Sequence, residues 1–256
     1  MLLAIDAGNT NTVFAIFNGE MLLGQWRMST DSRRTADEYG VWLLQLLAHE
    51  SIDPLAIDSA ILSSVVPHAN FPLRMLARQY FQTELLIVGE ENVTLGIQAK
   101  IDRPREVGAD RLVNAVAAWH RYRMALIIVD FGTATTFDIV DAHGDYIGGV
   151  IAPGVNLSLE ALHRAAAKLP NVAVEKPQQV IGKDTVSAMQ SGIYFGYVGL
   201  IEGIVSRIQS EYGSAMKVIV TGGLAPLFAR ATPMIEALEP DLIIQGLRLI
   251  HARNSV

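Results

Sequence analysis

Residues Leu2 to Phe17 read LLAIDAGNTNTVFAIF, and residues Leu126 to Val140 read LIIVDFGTATTFDIV. Each stretch is an apolar run, then an Asp, then Gly with small hydroxyl or amide residues, then apolar alternation. Asp6 and Asp130 lie 124 positions apart; at that offset Ile5 meets Val129, Gly8 meets Gly132, Thr12 meets Thr136 and Ile16 meets Val140. The β-branched and aromatic residues predict strands over 2–6 and 12–18, and again over 126–130 and 135–141. Beyond the turn Asn18-Gly19 a third strand is expected over 21–28, and beyond Ala142-His143-Gly144 one over 146–151. Each half thus opens with a three-stranded meander. Two hairpins can look alike without common origin, but matched Asp, Gly and Thr at the turns favour a duplicated domain.

Outward from each meander the pattern changes to helices alternating with strands. Thr35-Ala36-Asp37-Glu38 has the spacing of a capping box, and Tyr39, Leu43, Leu46 and Leu47 then form one apolar face. AILSSVV (60–66) reads as a buried strand, and helices are expected near 69–81 and 111–122. In the second half, helices are expected near 156–167 and 185–211, a strand at 217–223 and a last helix at 245–252. The fold class is α/β: two duplicated domains of βββαβαβα type, residues 1–122 and 123–256, with a ligand cleft expected between them. The repeat is far longer than the unit of a solenoid.

Half of the 256 residues are hydrophobic, enough for a full core, and the net charge of −6 leaves no basic excess to neutralise nucleic-acid phosphates. The absence of Cys excludes disulfides and thiolate chemistry and fits a cytoplasmic setting. No charged leader precedes the first strand and no apolar run is long enough for a membrane span. The six His residues are scattered without metal-ligand spacing.

The turns Gly8-Asn9-Thr10 and Gly132-Thr133-Ala134-Thr135 present backbone N–H groups and short polar side chains, the makings of an anion-binding concavity. The same residues could simply satisfy a tight turn. An Asp ending the preceding strand would repel a phosphate unless a cation lay between them, and Mg²⁺ is held in that way. Neither GxxxxGK[ST] nor GxGxxG is present, so a nucleotide site must use another architecture. In PREVGADR (Pro104 to Arg111), Asp110 reads either as a helix N-cap or as a catalytic carboxylate, with Arg111 placed for an anionic ligand. Gly148, Gly149 and Gly154 in YIGGVIAPG, and Gly222 and Gly223 in TGGLAP, read as turns or as flat backbone for a nucleotide. Gly192, Gly196, Gly199 and Gly203 share one face of the long helix; each costs about 1 kcal/mol there, so close approach of another helix is expected, within the chain or in a homodimer.

Taken in order, DAGNTNT, PREVGADR, DFGTATTFD, GGVIAPG, KDTVSAMQSGIYFGYVG and TGGLAP resemble the type III pantothenate kinases over nearly the whole chain. The resemblance implies the acetate and sugar kinase, Hsp70 and actin superfamily, with two ribonuclease H-like domains and ATP between them. It implies phosphorylation of pantothenate to 4′-phosphopantothenate, the first step of coenzyme A synthesis. It also implies a cytoplasmic homodimer with pantothenate at the dimer interface, and dependence on a monovalent cation, K⁺ or NH₄⁺. By the same resemblance, Asp6, Ala7, Gly8, Asn9, Thr10, Asn11, Thr12 and Val13 form the first ATP loop, with Asp6 near Mg²⁺, and Thr133 touches ATP phosphate. Gly108, Ala109, Asp110 and Arg111 bind pantothenate, Asp110 is the catalytic base, Thr185 contacts substrate and Asp130 ligates the monovalent cation. Ile101 stands where many members carry an aromatic substrate contact. Two other readings remain: another small-molecule kinase of the superfamily, or a catalytically weak relative acting as an accessory factor in gene expression.

Overall fold

A computed structural model describes residues 1–165 and 169–255. The first meander is β1 (Leu2–Ala7), β2 (Asn11–Asn18) and β3 (Met21–Ser29), antiparallel throughout. Helix α1 (Ala36–His49) follows, and its capping box is present: Thr35 Oγ1 accepts from the Glu38 N–H while Glu38 accepts from the Thr35 N–H. Strand β4 (Ser59–Ser64) pairs parallel to β1, and after α2 (Pro67–Phe81) the short β5 (Leu85–Ile87) pairs parallel to β4. Helix α3 (Ala109–Tyr122) leads to the second meander, β6 (Leu126–Phe131), β7 (Ala134–Val140) and β8 (Tyr146–Pro153). Helices α4 (Val155–Ala165) and α5 (Thr185–Tyr212) precede β9 (Lys217–Gly222), which pairs parallel to β6. The last two residues of the helix expected over 156–167 lie outside the described residues. The one-turn α6 (Ala225–Phe228), the two-residue β10 (Ala237–Leu238) and α7 (Leu242–Asn254) complete the order.

The two sheets, β3-β2-β1-β4-β5 and β8-β7-β6-β9-β10, have one topology: third, second, first, fourth, fifth strand of each set. Two compact α/β units result, Met1–Arg121 with the chain from Leu242 onward, and Tyr122–Asp241. In the first, Leu3, Ile5, Phe14, Ile16 and Leu62 meet Leu43, Leu47, Leu73 and Leu76 of α1 and α2. On the opposite face of that sheet, Leu2, Ala4, Ala15, Phe17 and Ile61 pack with Val113 and Val116 of α3 and Ile244, Leu247 and Ile250 of α7. In the second unit, Ile127, Val129, Phe137 and Val218 pack with Leu159, Ile193, Tyr197, Ile201 and Phe228. The sequence assigned everything after residue 122 to the second domain; α7 instead packs on β1 and β4. Gly246 of α7 lies against the Val113 carbonyl, where a Cβ would collide, so the helix sits close on α3.

The constant offset of 124 holds for Asp and Gly but slips along the second strand of each meander. The first turn has three residues between β1 and β2, with Gly8 N–H donating to Asn11 O at 3.0 Å; the second has two, with Gly132 N–H donating to Ala134 O at 3.0 Å. Ala7 therefore faces Thr12, whereas Phe131 faces Thr135. The structural counterpart of Thr12 is Thr135, not Thr136, and that of Ile16 is Ile139, not Val140. Burial agrees: Thr12 and Thr135 are fully buried and Thr136 is half-buried. The offset of 124 returns in β3 and β8, because the loop between Val140 and Tyr146 is one residue longer than that between Phe17 and Leu22; each copy carries a bulge at the same place, between Ile16 and Phe17 and between Ile139 and Val140.

Candidate active site

The first turn lies at the C-terminal end of β1. Asp6 stands across from Val13 on one side and beside Ser63 of β4 on the other. Of the eight residues expected to form the ATP loop, Ala7, Thr12 and Val13 are buried, so their side chains serve the sheet. Gly8, Asn9, Thr10 and Asn11 form the tip, and the last three are exposed. A Cβ on Gly8 would lie 3.2 Å from Asn11 O, tight enough to favour glycine in this turn.

Asp110 sits near the same end of the same sheet. The Val65 N–H donates to Ala7 O at 3.1 Å, which ties the end of β4 to the end of β1. The Gly108 backbone lies against both Val65 and the Asp110 carboxylate; a Cβ there would fall 3.5 Å from Val65 Cγ1 and 2.5 Å from Asp110 Oδ1. Helix α3 begins at Ala109, so Asp110 lies inside the first turn and is not the N-cap that the sequence allowed. Its Oδ1 accepts from the Arg111 N–H at 2.8 Å. Burial pushes its carboxyl above the ordinary value, and the Arg111 N–H and charge pull the other way without cancelling the effect. A carboxylate with raised proton affinity suits a general base better than one fixed by an ion pair. Ala109 packs on the face shared by α3 and α7, and Arg111 and Ile101 are half-buried in the same unit.

The second unit carries its own turn. Asp130 stands across from Thr136 and beside Thr221 of β9. Gly222, at φ +93°, lies so close that a Cβ would strike Asp130 Oδ1 and the Phe131 backbone. Gly154 lies on the Thr133 carbonyl with equally little room. Thr133 is exposed at the tip. Thr185 is the first residue of α5, exposed, next to the Asp184 N-cap whose carboxylate accepts from the Ser187 N–H at 2.9 Å. Among the described residues no group of three or more His, Cys, Asp or Glu is placed to hold a metal by itself. Thr136 and Thr221 flank Asp130 in the ladder, with the Thr136 hydroxyl donating to Asp138 Oδ2 at 3.1 Å, and the Asp130 carboxylate is itself a ligand type that suits a hard cation.

The family model for type III pantothenate kinase matches residues 2–207. The chain belongs to the type III pantothenate kinase family. It is 64% identical over 255 residues to the type III pantothenate kinase of Paramagnetospirillum magneticum, covering 100% of this chain and 98% of that one. It is 61% identical to that of Rhodospirillum rubrum, covering 99% of each. Among solved structures, a Campylobacter jejuni protein assigned to the Baf family of transcriptional activators aligns at a TM-score of 0.59 with 19% identity, over 98% of each chain. A Sinorhizobium meliloti protein assigned as a 2-dehydro-3-deoxygalactonokinase aligns at 0.58 with 13% identity, over 99% of this chain and 96% of that one. These two likenesses establish the shared two-unit α/β fold. Within the type III pantothenate kinase framework, the structure brings Asp6, the Gly8–Asn11 tip, Gly108 and Asp110 to one sheet end, and Asp130 and Thr133 to the equivalent end of the other sheet.

Sequence reading left two contributions undecided and missed a third. Gly154 and Gly222 were read as turns or as flat nucleotide surface; each is the place where backbone approaches the second hairpin without space for a side chain. Thr30 was not read at all. It lies one residue beyond β3, where a lone Thr carries no pattern, and 124 positions later stands Gly154, which has no hydroxyl to match it.

Proposed function

We propose that this chain phosphorylates pantothenate with ATP, giving 4′-phosphopantothenate and ADP, the first step of coenzyme A synthesis. The observation that carries it is membership of the type III pantothenate kinase family across essentially the whole chain. The half-buried carboxylate of Asp110, its proton affinity raised, beside a phosphate-type turn supports the chemistry.

Phosphoryl transfer asks the protein for positioning and charge neutralisation more than for covalent chemistry. The backbone N–H groups of Asn9 and Asn11 receive nucleotide phosphate, with the Asn9 and Thr10 side chains at hand, and the Gly132-Thr133 turn receives another phosphate oxygen. The pantothenate hydroxyl oxygen attacks the γ-phosphorus, the bond to the β-phosphate oxygen breaks, and ADP leaves. Asp110 accepts the hydroxyl proton late in this transfer, because a carboxylate is too weak a base to remove it beforehand. Arg111 holds the substrate carboxylate, and Gly108, Ala109, Ile101 and Thr185 shape the rest of its site. Asp6 would hold Mg²⁺ together with the phosphates, and Asp130 would hold K⁺ or NH₄⁺; these ions supply positive charge where phosphate charge accumulates.

We further infer a cytoplasmic homodimer. Apart from the helix's own backbone, no atom of the described residues comes within 4 Å of a Cβ built on Gly192, Gly196 or Gly199, so among the described residues nothing packs closely on this glycine face of α5. Among the described residues no helix is long and apolar enough to cross a membrane. The decisive experiment measures ADP release by the purified protein with ATP and Mg²⁺, with and without pantothenate and with K⁺ against Na⁺. ADP release that ignores pantothenate would overturn the assignment.

A further inference from the structure

The first turn is held from outside its own hairpin. Thr30, just past β3, makes three hydrogen bonds to it: its N–H donates to Thr10 O at 3.0 Å, its Oγ1 donates to Gly8 O at 2.7 Å, and Thr12 Oγ1 lies 2.9 Å from Thr30 Oγ1. A threonine hydroxyl has one proton, and here it goes to Gly8 O, so Thr12 is the donor in the third contact. The hydroxyls thus run in one direction, Thr12 to Thr30 to Gly8.

This arrangement fixes two peptide planes. In a trans peptide the N–H points opposite to the C=O. With the carbonyls of Gly8 and Thr10 turned to Thr30, the N–H groups of Asn9 and Asn11 are turned away from it. Neither carbonyl can swing its lone pairs toward an anion approaching from that other side. The geometry points to Thr30 as a positioning residue for nucleotide binding, one that holds the Gly8–Asn11 backbone in its phosphate-receiving form. This rests on the reading of that turn as an ATP phosphate site.

The second hairpin argues against a purely structural role. At the position equivalent to Thr30 stands Gly154, whose backbone rests on the Thr133 carbonyl. Thr135, the counterpart of Thr12, is fully buried, and its Oγ1 has no hydrogen-bond partner among the described residues. A meander of this topology therefore forms without the hydroxyl clamp and tolerates the orphaned threonine that results. The clamp belongs to the first turn in particular, and carbonyl orientation is what it controls there.

Thr30→Val keeps the backbone N–H and the shape while deleting the hydroxyl. One lost hydrogen bond of ordinary strength predicts ATP binding weakened about five- to tenfold by calorimetry with Mg²⁺ present. The KM for ATP should rise in parallel, with the KM for pantothenate and kcat at saturating ATP within about twofold of wild type on the same reasoning. Thr30→Ser restores the hydroxyl and should return ATP affinity to within about twofold. If Thr30→Val does not fold, Thr30→Gly, which copies the second hairpin, takes its place under the same criterion. Unchanged ATP affinity without the hydroxyl, or Thr30→Ser no better than Thr30→Val, overturns the proposal. A wild-type protein that binds ATP but leaves pantothenate unphosphorylated would remove the kinase reading alone, and the ATP affinities of the variants would still decide the clamp. A wild type that binds no ATP removes both.

Discussion

Asp110 is a carboxylate that has lost part of its water, and its proton affinity rises for that reason before any hydrogen bond is considered. If it is the base, it works only when ionised, so activity should fall as pH falls, on an acid limb placed above the ordinary carboxylate range. Asp110→Asn should lose turnover by about a hundredfold or more while still binding ATP, and the limb should vanish from any residual rate. Stability follows the opposite sign. A group whose folded-state pKa is raised favours the folded state most below its unfolded pKa, and loses that contribution as pH rises through the folded value. At neutral pH the ionised carboxylate is therefore a burden, and Asp110→Asn should melt no lower than wild type there. A folded mutant with near-normal turnover would reduce Asp110 to a helix-terminus residue. At Asp130 the Gly222 backbone approaches the carboxylate closely, and Thr136 and Thr221 flank it in the ladder. Replacing K⁺ by Na⁺ should lower the wild-type rate, and Asp130→Ala should make the residual rate indifferent to the choice of ion. A wild-type rate equal in Na⁺ and K⁺ would take Asp130 out of this role. How much of this was legible differs residue by residue. Asp6 and Asp130 were visible because a charge ending an apolar run is unusual, and GADR because of its resemblance. Thr30 was hidden because a lone Thr after a strand has no signature until the turn it touches is known.

The two hairpins are one design with two ways of closing the turn. In the first, the Thr30 side chain reaches across; in the second, Gly154 and Gly222 bring backbone against Thr133 and Asp130 with no space for a methyl group. Gly154→Ala should therefore cost about 1–3 kcal/mol in urea unfolding, the usual penalty for overpacking, and should also raise the KM for ATP. Gly223→Ala is the control, because nothing lies within 4 Å of a Cβ there; it should be nearly silent in both measurements. Equal effects of the two substitutions would refute the close-approach account. At this scale the sequence pattern carried most of the fold. Runs of apolar, β-branched and aromatic residues set β1, β2, β6 and β7, and the Thr35–Glu38 spacing set the start of α1. The slip of Thr12 onto Thr135 was not legible, because a one-residue change in turn length leaves the Asp and Gly offset untouched. The elements β5 and β10, of three and two residues, are too short for any periodicity to register.

Sequence order and packing part company in the whole molecule at α7. Its apolar face was readable, but periodicity says only that a helix has a face to bury, not which sheet will take it. Ile244, Leu247 and Ile250 take it to the first unit's sheet, beside α3. The other helix with unspent surface is α5. Its buried residues Ile193, Tyr197, Ile201 and Val205 face the second unit's core, while Gly192, Gly196 and Gly199 are exposed with nothing beside them. Three glycines in a helix interior weaken it by about 1 kcal/mol each relative to Ala, and nothing among the described residues packs on them in return. Close approach of the same helix from a second copy would supply compensation, and this makes the mutational outcomes diverge. In a monomer Gly196→Leu meets no atom and should raise stability by roughly the helix-propensity difference, somewhat under 1 kcal/mol. In a dimer packed on that face, the Leu side chain would enter the space between two backbones and cost about 1–3 kcal/mol of association. Sedimentation of wild type and Gly196→Leu over a dilution series separates the two, with specific activity followed in parallel. The expected result is a mutant that dissociates at concentrations where wild type remains dimeric, with specific activity falling as it does. A mutant equally associated at every dilution would place the dimer contact on another face of the molecule.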